Sequence, residues 1–488
     1  MQVLVRRYGN LIELSSAGGP LPADLDALLC AQLSYAHKRY VHSSERSQTG
    51  GSAVEVTRKA LFDRDEKGRL CTCAGFLRRV QRVLKESGCE AAYQDKTPPA
   101  RLEALRSDMD NVRRHFQFRP RQDEALQAIL SHRSGVVEAP TGFGKMVLLT
   151  MVCLALPEAK IDVTTDSVSV VENLEEFLAR HVKVGRVGGG ACKTGERVTV
   201  YTADSLHRSP CDADIVLVDE AHELMADQAA SRLQRYRFAR MFGFTASPEG
   251  RFDGSDVRME ALFGETIFQL SYQEAVKLGL VVPIMVDWRD PPIPRPSYVP
   301  THDTEKKRRL IWANEARNKA VAEVARSFAD DEQVLVLVDK VEHAIHLGAC
   351  LPGWALVYGD REDKEMDSYH KRGLVGERAG MNKAKRRAIR DAFLKGDIKK
   401  VIATGVWSRG VDFPELQVLI RADADTSRIS SIQMPGRVSR ITKLIDKQVG
   451  LLVDFRDSFE PSLSRRADQR RGHYAKMGWE QVSWPSSL

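Results

Sequence analysis

Three short stretches of the chain carry residue types suited to handling phosphate. In "EAPTGFGKM" (138–146), Gly142 and Gly144 let backbone N–H groups curl around phosphate oxygens, and Lys145 adds a point charge. Pro140, Thr141 and Phe143 complete that loop. Met146 stands where such loops usually place a Ser or Thr hydroxyl on magnesium. In "DEAH" (219–222), Asp219 suits a magnesium contact and Glu220 suits activation of an attacking water. In "QMPGRVSR" (433–440), Gln433, Arg437 and Arg440 fall along one helix, the two arginines sharing a face. Arginines so placed can neutralise charge on a transferring phosphoryl group. The chemistry these residues could share is hydrolysis of a nucleoside triphosphate.

Met146 has no hydroxyl to offer. Losing one charge-assisted contact costs ~1–3 kcal/mol when nothing replaces it. Water can take the vacant position, because magnesium usually keeps several waters. With Asp219, Glu220, Arg437 and Arg440 all present, the expectation is an active ATPase with weakened or altered metal dependence. The rival expectation is a scaffold that binds ATP and turns over nothing.

These groups can act together only if the fold brings them to one edge. Short apolar runs supply the means. "GVVEA" leads into the glycine loop and the helical "MVLLTMVCLAL" follows it, "DIVLVD" ends in acid, and "RMFGFTASP" ends in small polar residues. A second series runs "QVLVLVD", "WALVYGD", "KKVIATG", "LQVLI" and "VGLLVDF". Val/Leu/Ile runs separated by helices predict doubly wound parallel sheets, with ligand sites beyond the carboxyl ends of the strands. The fold class is α/β: two such sheets in tandem, divided near residue 282, at 116–282 and 283–456.

Residues 1–94 read as a small α+β domain. "VLVRRYGNLIEL" and "KALFDRDEKGRLCTC" are hairpin patterns, and "GFLRRVQRVLKESG" places Phe76, Leu77, Val80, Val83 and Leu84 on one helical stripe. Arg78, Arg79, Arg82 and Lys85 lie off that stripe, either as a phosphate grip or as a solvated face. "DKTPPARLEA" opens a linker over 95–115, and 361–387 is a polar insertion carrying a basic loop and a helix start. In the tail, 457–488, Arg465, Arg466, Arg470 and Arg471 interleave with Tyr474 and Trp479. That pattern fits a nucleic-acid grip or a charged helix packed on the second domain.

Length and composition bound these readings. A chain of 488 residues needs two or three cores, and 43% hydrophobic with 28% charged residues is ordinary for a globular protein. No apolar run reaches membrane-spanning length, and "MQVLVRRYGN" breaks too early for a signal peptide, so a cytoplasmic protein is expected. Eight scattered cysteines, with Cys71 and Cys73 only as C-x-C, point to reduced thiols rather than a metal site. A net charge of +7 is compatible with a polyanion partner.

The ordered series resembles a superfamily 2 helicase or translocase of the DEAH-box type, over residues 116–455. "FRPRQ" (118–122) is similar to the adenine-reading segment, through Arg119 and Gln122. "APTGFGK" resembles motif I, DEAH motif II, "TAS" (245–247) motif III, "ATGVWSRGVDFP" (403–414) motif V and "QMPGRVSR" motif VI. Weaker matches are "VTTDSVSVV" to motif Ia, "VYTADSL" to motif Ic and "VLVDK" to motif IV. The resemblance implies tandem RecA-like domains with ATP and Mg2+ held between them, and hydrolysis coupled to strand movement. Within it, Arg119, Gln122, Lys145 and Asp219 would bind MgATP, and Glu220, Gln433, Arg437 and Arg440 would serve hydrolysis. His222, Thr245, Ser247, Gly410 and Asp412 would couple the sites, and Thr165, Thr202 and Thr404 would touch nucleic acid. Within the superfamily, "FRPRQDEAL" and a compact second domain resemble the phage branch-migration helicases, the XPB-type helicases and the helicase subunits of type III restriction enzymes. They imply duplex, forked or branched DNA as the partner, with RNA as the alternative. A nuclease or recombination factor is a further partner class, and no membrane association is expected.

Overall fold

A computed structural model of the protein describes residues 1–16, 19–41, 53–98, 105–246, 254–407, 413–426, 428–441 and 447–482. The chain divides into two compact units, the first built mainly from residues before Tyr272 and the second from Tyr272 onward, with Thr141–Phe143 grouped with the second.

The first unit opens with strands β1 (Gln2–Tyr8) and β2 (Leu11–Ser16), paired antiparallel across the Gly9-Asn10 turn. Strands β3 (Ser34–Val41) and β4 (Ala53–Ala60) make a separate two-stranded hairpin. The sequence reading did not foresee it: apart from Val54 and Val56, its arms are mostly polar and present no apolar face. β5 (Phe62–Arg64) and β6 (Leu70–Cys73) form the second expected hairpin, and β7 (Glu90–Asp95) runs parallel to β1. The five-stranded sheet is ordered β5-β6-β2-β1-β7. Helix Leu77–Glu86 covers it with Val80, Val83 and Leu84, which join Val3, Val5, Ile12 and Leu14 in one core. Residues 99–104 of the expected linker lie outside the described residues. Met109–His115 is a helix, its first turn capped by the Asp108 carboxylate accepting from the Asn111 N–H at 2.9 Å.

An eight-stranded sheet follows in the same unit. Its strands are β8 (Ser134–Glu138), β9 (Ile161–Thr165), β10 (Val184–Gly188), β11 (Ala191–Lys193), β12 (Val198–Thr202), β13 (Ile215–Val218), β14 (Arg240–Thr245) and β15 (Thr266–Gln269). Their order is β11-β10-β12-β9-β13-β14-β8-β15, and only the β10/β11 pair is antiparallel. Each residue of β13, "IVLV", is buried, as a strand covered on both faces requires.

The first hairpin turn is seated on this sheet's loops. Asn10 donates three times to these loops: its N–H to the Arg237 carbonyl at 2.7 Å, and its side-chain amide to Tyr236 and Ala239 carbonyls at 2.6 and 2.9 Å. Gly9, at φ 64°, leaves no room for a side chain, since a Cβ would stand 2.0 Å from the Arg237 oxygen. Gly75 is pressed as closely against the Glu260 carbonyl, and Arg79 pairs with the Glu260 carboxylate.

The second unit is built on seven parallel strands: β16 (Ile284–Arg289), β17 (Val334–Leu337), β18 (Ala355–Val357), β19 (Lys400–Ala403), β20 (Val418–Arg421), β21 (Gly450–Phe455) and β22 (Glu480–Val482). Their order is β18-β19-β17-β20-β21-β16-β22. Helix Pro461–Met477 packs on this sheet and takes part of the basic tail inward. Arg470 is buried in a bidentate pair with Asp454 at 2.9 and 3.0 Å, Tyr474 donates to the same carboxylate at 2.7 Å, and Trp479 is buried beside Tyr474. Of the two readings of the tail, packing describes Arg470, Tyr474 and Trp479. Arg465 and Arg471 remain on the exposed face. Among the described residues no helix is long and apolar enough to cross a membrane.

Candidate functional site

In the first unit, the phosphate-type residues gather at the carboxyl edge of the parallel strands. β8 ends at Glu138 and the chain turns through Gly142 and Gly144, both at φ 94°, into helix Lys145–Ala155. That left-handed backbone is open to glycine and strained for other residues. No side chain caps the helix, and Lys145 starts it with its ammonium donating to the Ala139 carbonyl at 3.1 Å. The "FRPRQ" turn reaches the same loop. Gln122 is buried, its carbonyl oxygen accepts the Arg119 N–H at 3.0 Å, and its amide nitrogen lies 2.8 Å from where a Gly144 Cβ would stand. Burial also holds the Arg119 guanidinium below its ordinary pKa. Met146 occupies the first turn, half-buried. One turn on, Thr150 is fully buried and donates its hydroxyl to the Met146 carbonyl at 3.0 Å.

Asp219 follows β13 directly, its N–H donating to the Thr164 carbonyl of neighbouring β9 at 2.9 Å. Burial, and then repulsion from Glu220, push the Asp219 carboxyl up to about 7 against the pull of Lys145. Glu220 sits at φ 46°, a left-handed conformation that costs a non-glycine residue ~1–3 kcal/mol and persists only when its surroundings fix it. Its Oε2 is buried with no hydrogen-bond partner. His222 and Thr245, from the DEAH and TAS stretches, share a buried 2.8 Å hydrogen bond between Nδ1 and Oγ1.

A positively open glycine loop, a lysine, a high-pKa carboxyl and an unpartnered carboxylate oxygen fit a triphosphate with magnesium. Asp219 would hold the metal and Lys145 the phosphates. Because Asp219 is protonated below about 7, a divalent cation must displace that proton. Magnesium affinity, titrated with a bound nucleotide, is therefore expected to fall about tenfold per pH unit below pH 7 and to level off above it. The same raised pKa favours the folded, metal-free protein at low pH, so this contribution to stability is lost as pH rises from about 4 to about 7. A flat affinity across pH 5.5–8 would remove Asp219 from the metal.

Thr165 and Thr202 are the last residues of β9 and β12, and Thr404 directly follows β19. All three are buried. The Thr165 hydroxyl has no hydrogen-bond partner, whereas the Thr202 hydroxyl shares a 2.8 Å bond with Ser205. Ser247, Gly410 and Asp412 lie outside the described residues.

In the second unit, the "QMPGRVSR" stretch departs from the single helix expected of it. An α-helix, Arg428–Gln433, ends there, and a 3-10 turn, Pro435–Ser439, begins after Met434. Pro435 has no N–H for the i−4 carbonyl, and its ring would clash with that turn, so the α-helix cannot continue. Gln433 closes the helix, Arg437 lies in the turn and Arg440 just past it with extended backbone. Arg437 is buried and donates to the Trp407 carbonyl at 3.3 Å, which ties this stretch to the "ATGVWSRGVDFP" segment.

Sequence reasoning missed Arg258. It donates to the Met225 carbonyl at 2.8 Å and pairs with Asp227, just after DEAH, while Lys59 of β4 pairs with the same carboxylate. The Arg258 guanidinium also lies 5.5 Å over the Tyr35 ring of β3. No local pattern marks an arginine that acts on a motif far upstream.

The two parallel sheets define a tandem RecA-like core. Residues 115–250 match the family "Type III restriction enzyme, res subunit", and residues 316–442 match "Helicase conserved C-terminal domain". A protein of Sulfolobus islandicus filamentous virus (isolate Iceland/Hveragerdi), described as a helicase, is 24% identical over 370 residues, covering 70% of this chain and 64% of its own length. The "DNA 3'-5' helicase XPB" of Kineococcus radiotolerans is 25% identical over 346 residues, covering 67% of this chain and 57% of its own. The chain thus spans less than two thirds of these relatives. S. cerevisiae Dbp5 bound to RNA and ADP BeF3 shares the fold at a TM-score of 0.52 and 14% identity, covering 76% of this chain and 91% of that one. The chain belongs to the superfamily 2 helicases, whose ATPase core its two parallel sheets form.

Proposed function

We propose that the protein is an ATP-dependent DNA helicase or translocase that remodels duplex or branched DNA. The observation that carries the ATPase part is the grouping of Lys145, Asp219 and Glu220 at one sheet edge, with Glu220 held in a strained backbone and its Oε2 unpartnered. Lys145 holds the phosphates, and Asp219 holds magnesium. Magnesium, when bound, neutralises charge developing on the phosphate oxygens. Glu220 orients the attacking water and takes its proton. Arg437 and Arg440, with Gln433, stabilise the transferring phosphoryl group from the second RecA-like domain. His222 and Thr245 share one hydrogen bond, so a change at DEAH is transmitted to the TAS stretch, and alternate closing and opening would shift a bound strand.

DNA is favoured over RNA by likeness to a named DNA helicase along two thirds of the chain. The second reading, a scaffold that binds ATP without hydrolysing it, is favoured by Met146 alone. ATP hydrolysis, measured with duplex, forked and single-stranded DNA and matching RNA at one fixed salt concentration, separates all three. Stimulation by duplex or forked DNA well above that by RNA is expected. Stronger stimulation by RNA would reassign the substrate, and ATP binding without turnover on any nucleic acid would leave the scaffold.

A further inference from the structure

The charge of the second unit is concentrated in one place. Residues 371–390 contain eight Lys or Arg against one acidic residue, Glu377, as much net charge as the whole chain's +7. This is the latter part of the polar insertion and the start of helix Lys383–Lys395. A solvated face usually disperses such charge or pairs it. Here Arg386 meets Asp360 at 2.6 Å, and Arg390 meets Asp391 at 2.9 Å. Lys371, Arg372 and Arg378 are exposed and make no ion pair among the described residues.

The frame that holds these charges is well tied. Arg361 and Met381 exchange backbone hydrogen bonds at 2.8 Å each, Gly380 donates to the Asp363 carboxylate at 2.8 Å, and the Tyr358 hydroxyl donates to the Ala379 carbonyl. Lys385 turns its ammonium inward onto the Arg378 and Gly380 carbonyls at 3.2 and 2.8 Å. The loop is therefore closed by its own bonds, with Arg372 and Arg378 outside it. Holding uncompensated like charges on an ordered frame is unfavourable unless a polyanion meets them.

Position in the sheet says where that polyanion would run. The insertion leaves the carboxyl end of edge strand β18, and the Thr404 N–H, at the end of β19, donates to the Val357 carbonyl of β18 at 2.9 Å. Helix Lys383–Lys395 is anchored beside the same segment. Phe393 packs against Trp407 and Phe413 with ring centroids 5.7 and 5.2 Å apart. The geometry points to a nucleic-acid backbone grip formed by Lys371, Arg372 and Arg378, continuing the path that starts at Thr404. This rests on the nucleic-acid reading above and adds a contact surface to it.

The test compares the native chain with Lys371→Gln/Arg372→Gln/Arg378→Gln. A second triple variant, Lys277→Gln/Lys319→Gln/Arg326→Gln, removes the same charge from exposed positions elsewhere in the second unit, away from the insertion and the basic tail. Binding of a fluorescent forked DNA is titrated from 50 to 250 mM salt, with thermal midpoints as the check on folding. Each lost phosphate contact lowers the slope of log K against log salt by about 0.7–0.9. The first variant should lose about two units of slope and at least about tenfold in affinity near 100 mM salt, with the second close to native. Equal slopes for native and first variant, or an equal loss in the second, would overturn the grip while leaving the helicase reading intact. Failure of the native chain to bind any nucleic acid would instead defeat the reading on which the grip rests. If the first variant does not fold, single replacements of Arg372 and Arg378 carry the same measurement, with about one unit of slope lost by each.

Discussion

Glu220→Gln is expected to lower ATP turnover by about 10²–10⁴-fold while nucleotide affinity stays within a few-fold of native. The substitution keeps the shape of a side chain whose backbone is fixed at φ 46°, so the DEAH turn should survive it. It removes the charged acceptor, and Oε2 is the buried oxygen with no partner of its own. A second consequence follows from the neighbouring carboxyl. Repulsion from Glu220 is the second cause of the raised Asp219 pKa, after burial. Removing that charge should move the pH midpoint of magnesium binding below 7. Phosphate release measures the first effect, and a magnesium titration with a non-hydrolysable nucleotide measures the second. Turnover within about threefold of native would mean that another group handles the water.

Met146→Thr is expected to lower the magnesium needed for half-maximal nucleotide binding and hydrolysis by about 5–150-fold, as one restored charge-assisted contact of ~1–3 kcal/mol implies. The position is in the first turn of helix Lys145–Ala155, beside the lysine of the loop. The next hydroxyl along that helix face, Thr150, is fully buried one turn further on and donates to the Met146 carbonyl. Water would take the missing ligand's place. Met146→Leu, which also lacks a hydroxyl, should leave the magnesium requirement unchanged. An unchanged requirement in the Thr variant would show that the metal is held wholly from the Asp219 side.

Much of the candidate site was legible because each part lies where a buried parallel strand ends. β8, β13 and β14 are short apolar runs, and the glycine loop, Asp219 and Thr245 fall at their carboxyl ends. Period and composition see such strands directly. They do not see contacts between distant residues. Arg470 read as part of a basic tail because its partner, Asp454, belongs to a strand that reads as plain core. The β3–β4 arms were missed for a related reason: beyond Val54 and Val56 they are mostly polar, and their register with one another makes them strands. The expected helix over 433–440 failed locally, since Pro435 outweighed a favourable spacing of arginines.

The seating of the Gly9-Asn10 turn bears on how the protein can be divided. A chain cut in the linker, to isolate the ATPase core, would leave the carbonyls of Tyr236, Arg237 and Ala239 without the donors that now meet them. It would also uncover Ala261, which belongs to the core of the small sheet, and strip Glu260 of Arg79. Water would meet those carbonyls once the turn is gone, so the loss falls on the apolar contacts of Ala261 and the Arg79–Glu260 pair. A fragment cut in the linker is therefore expected to melt at a lower temperature than one that keeps the first five-stranded sheet.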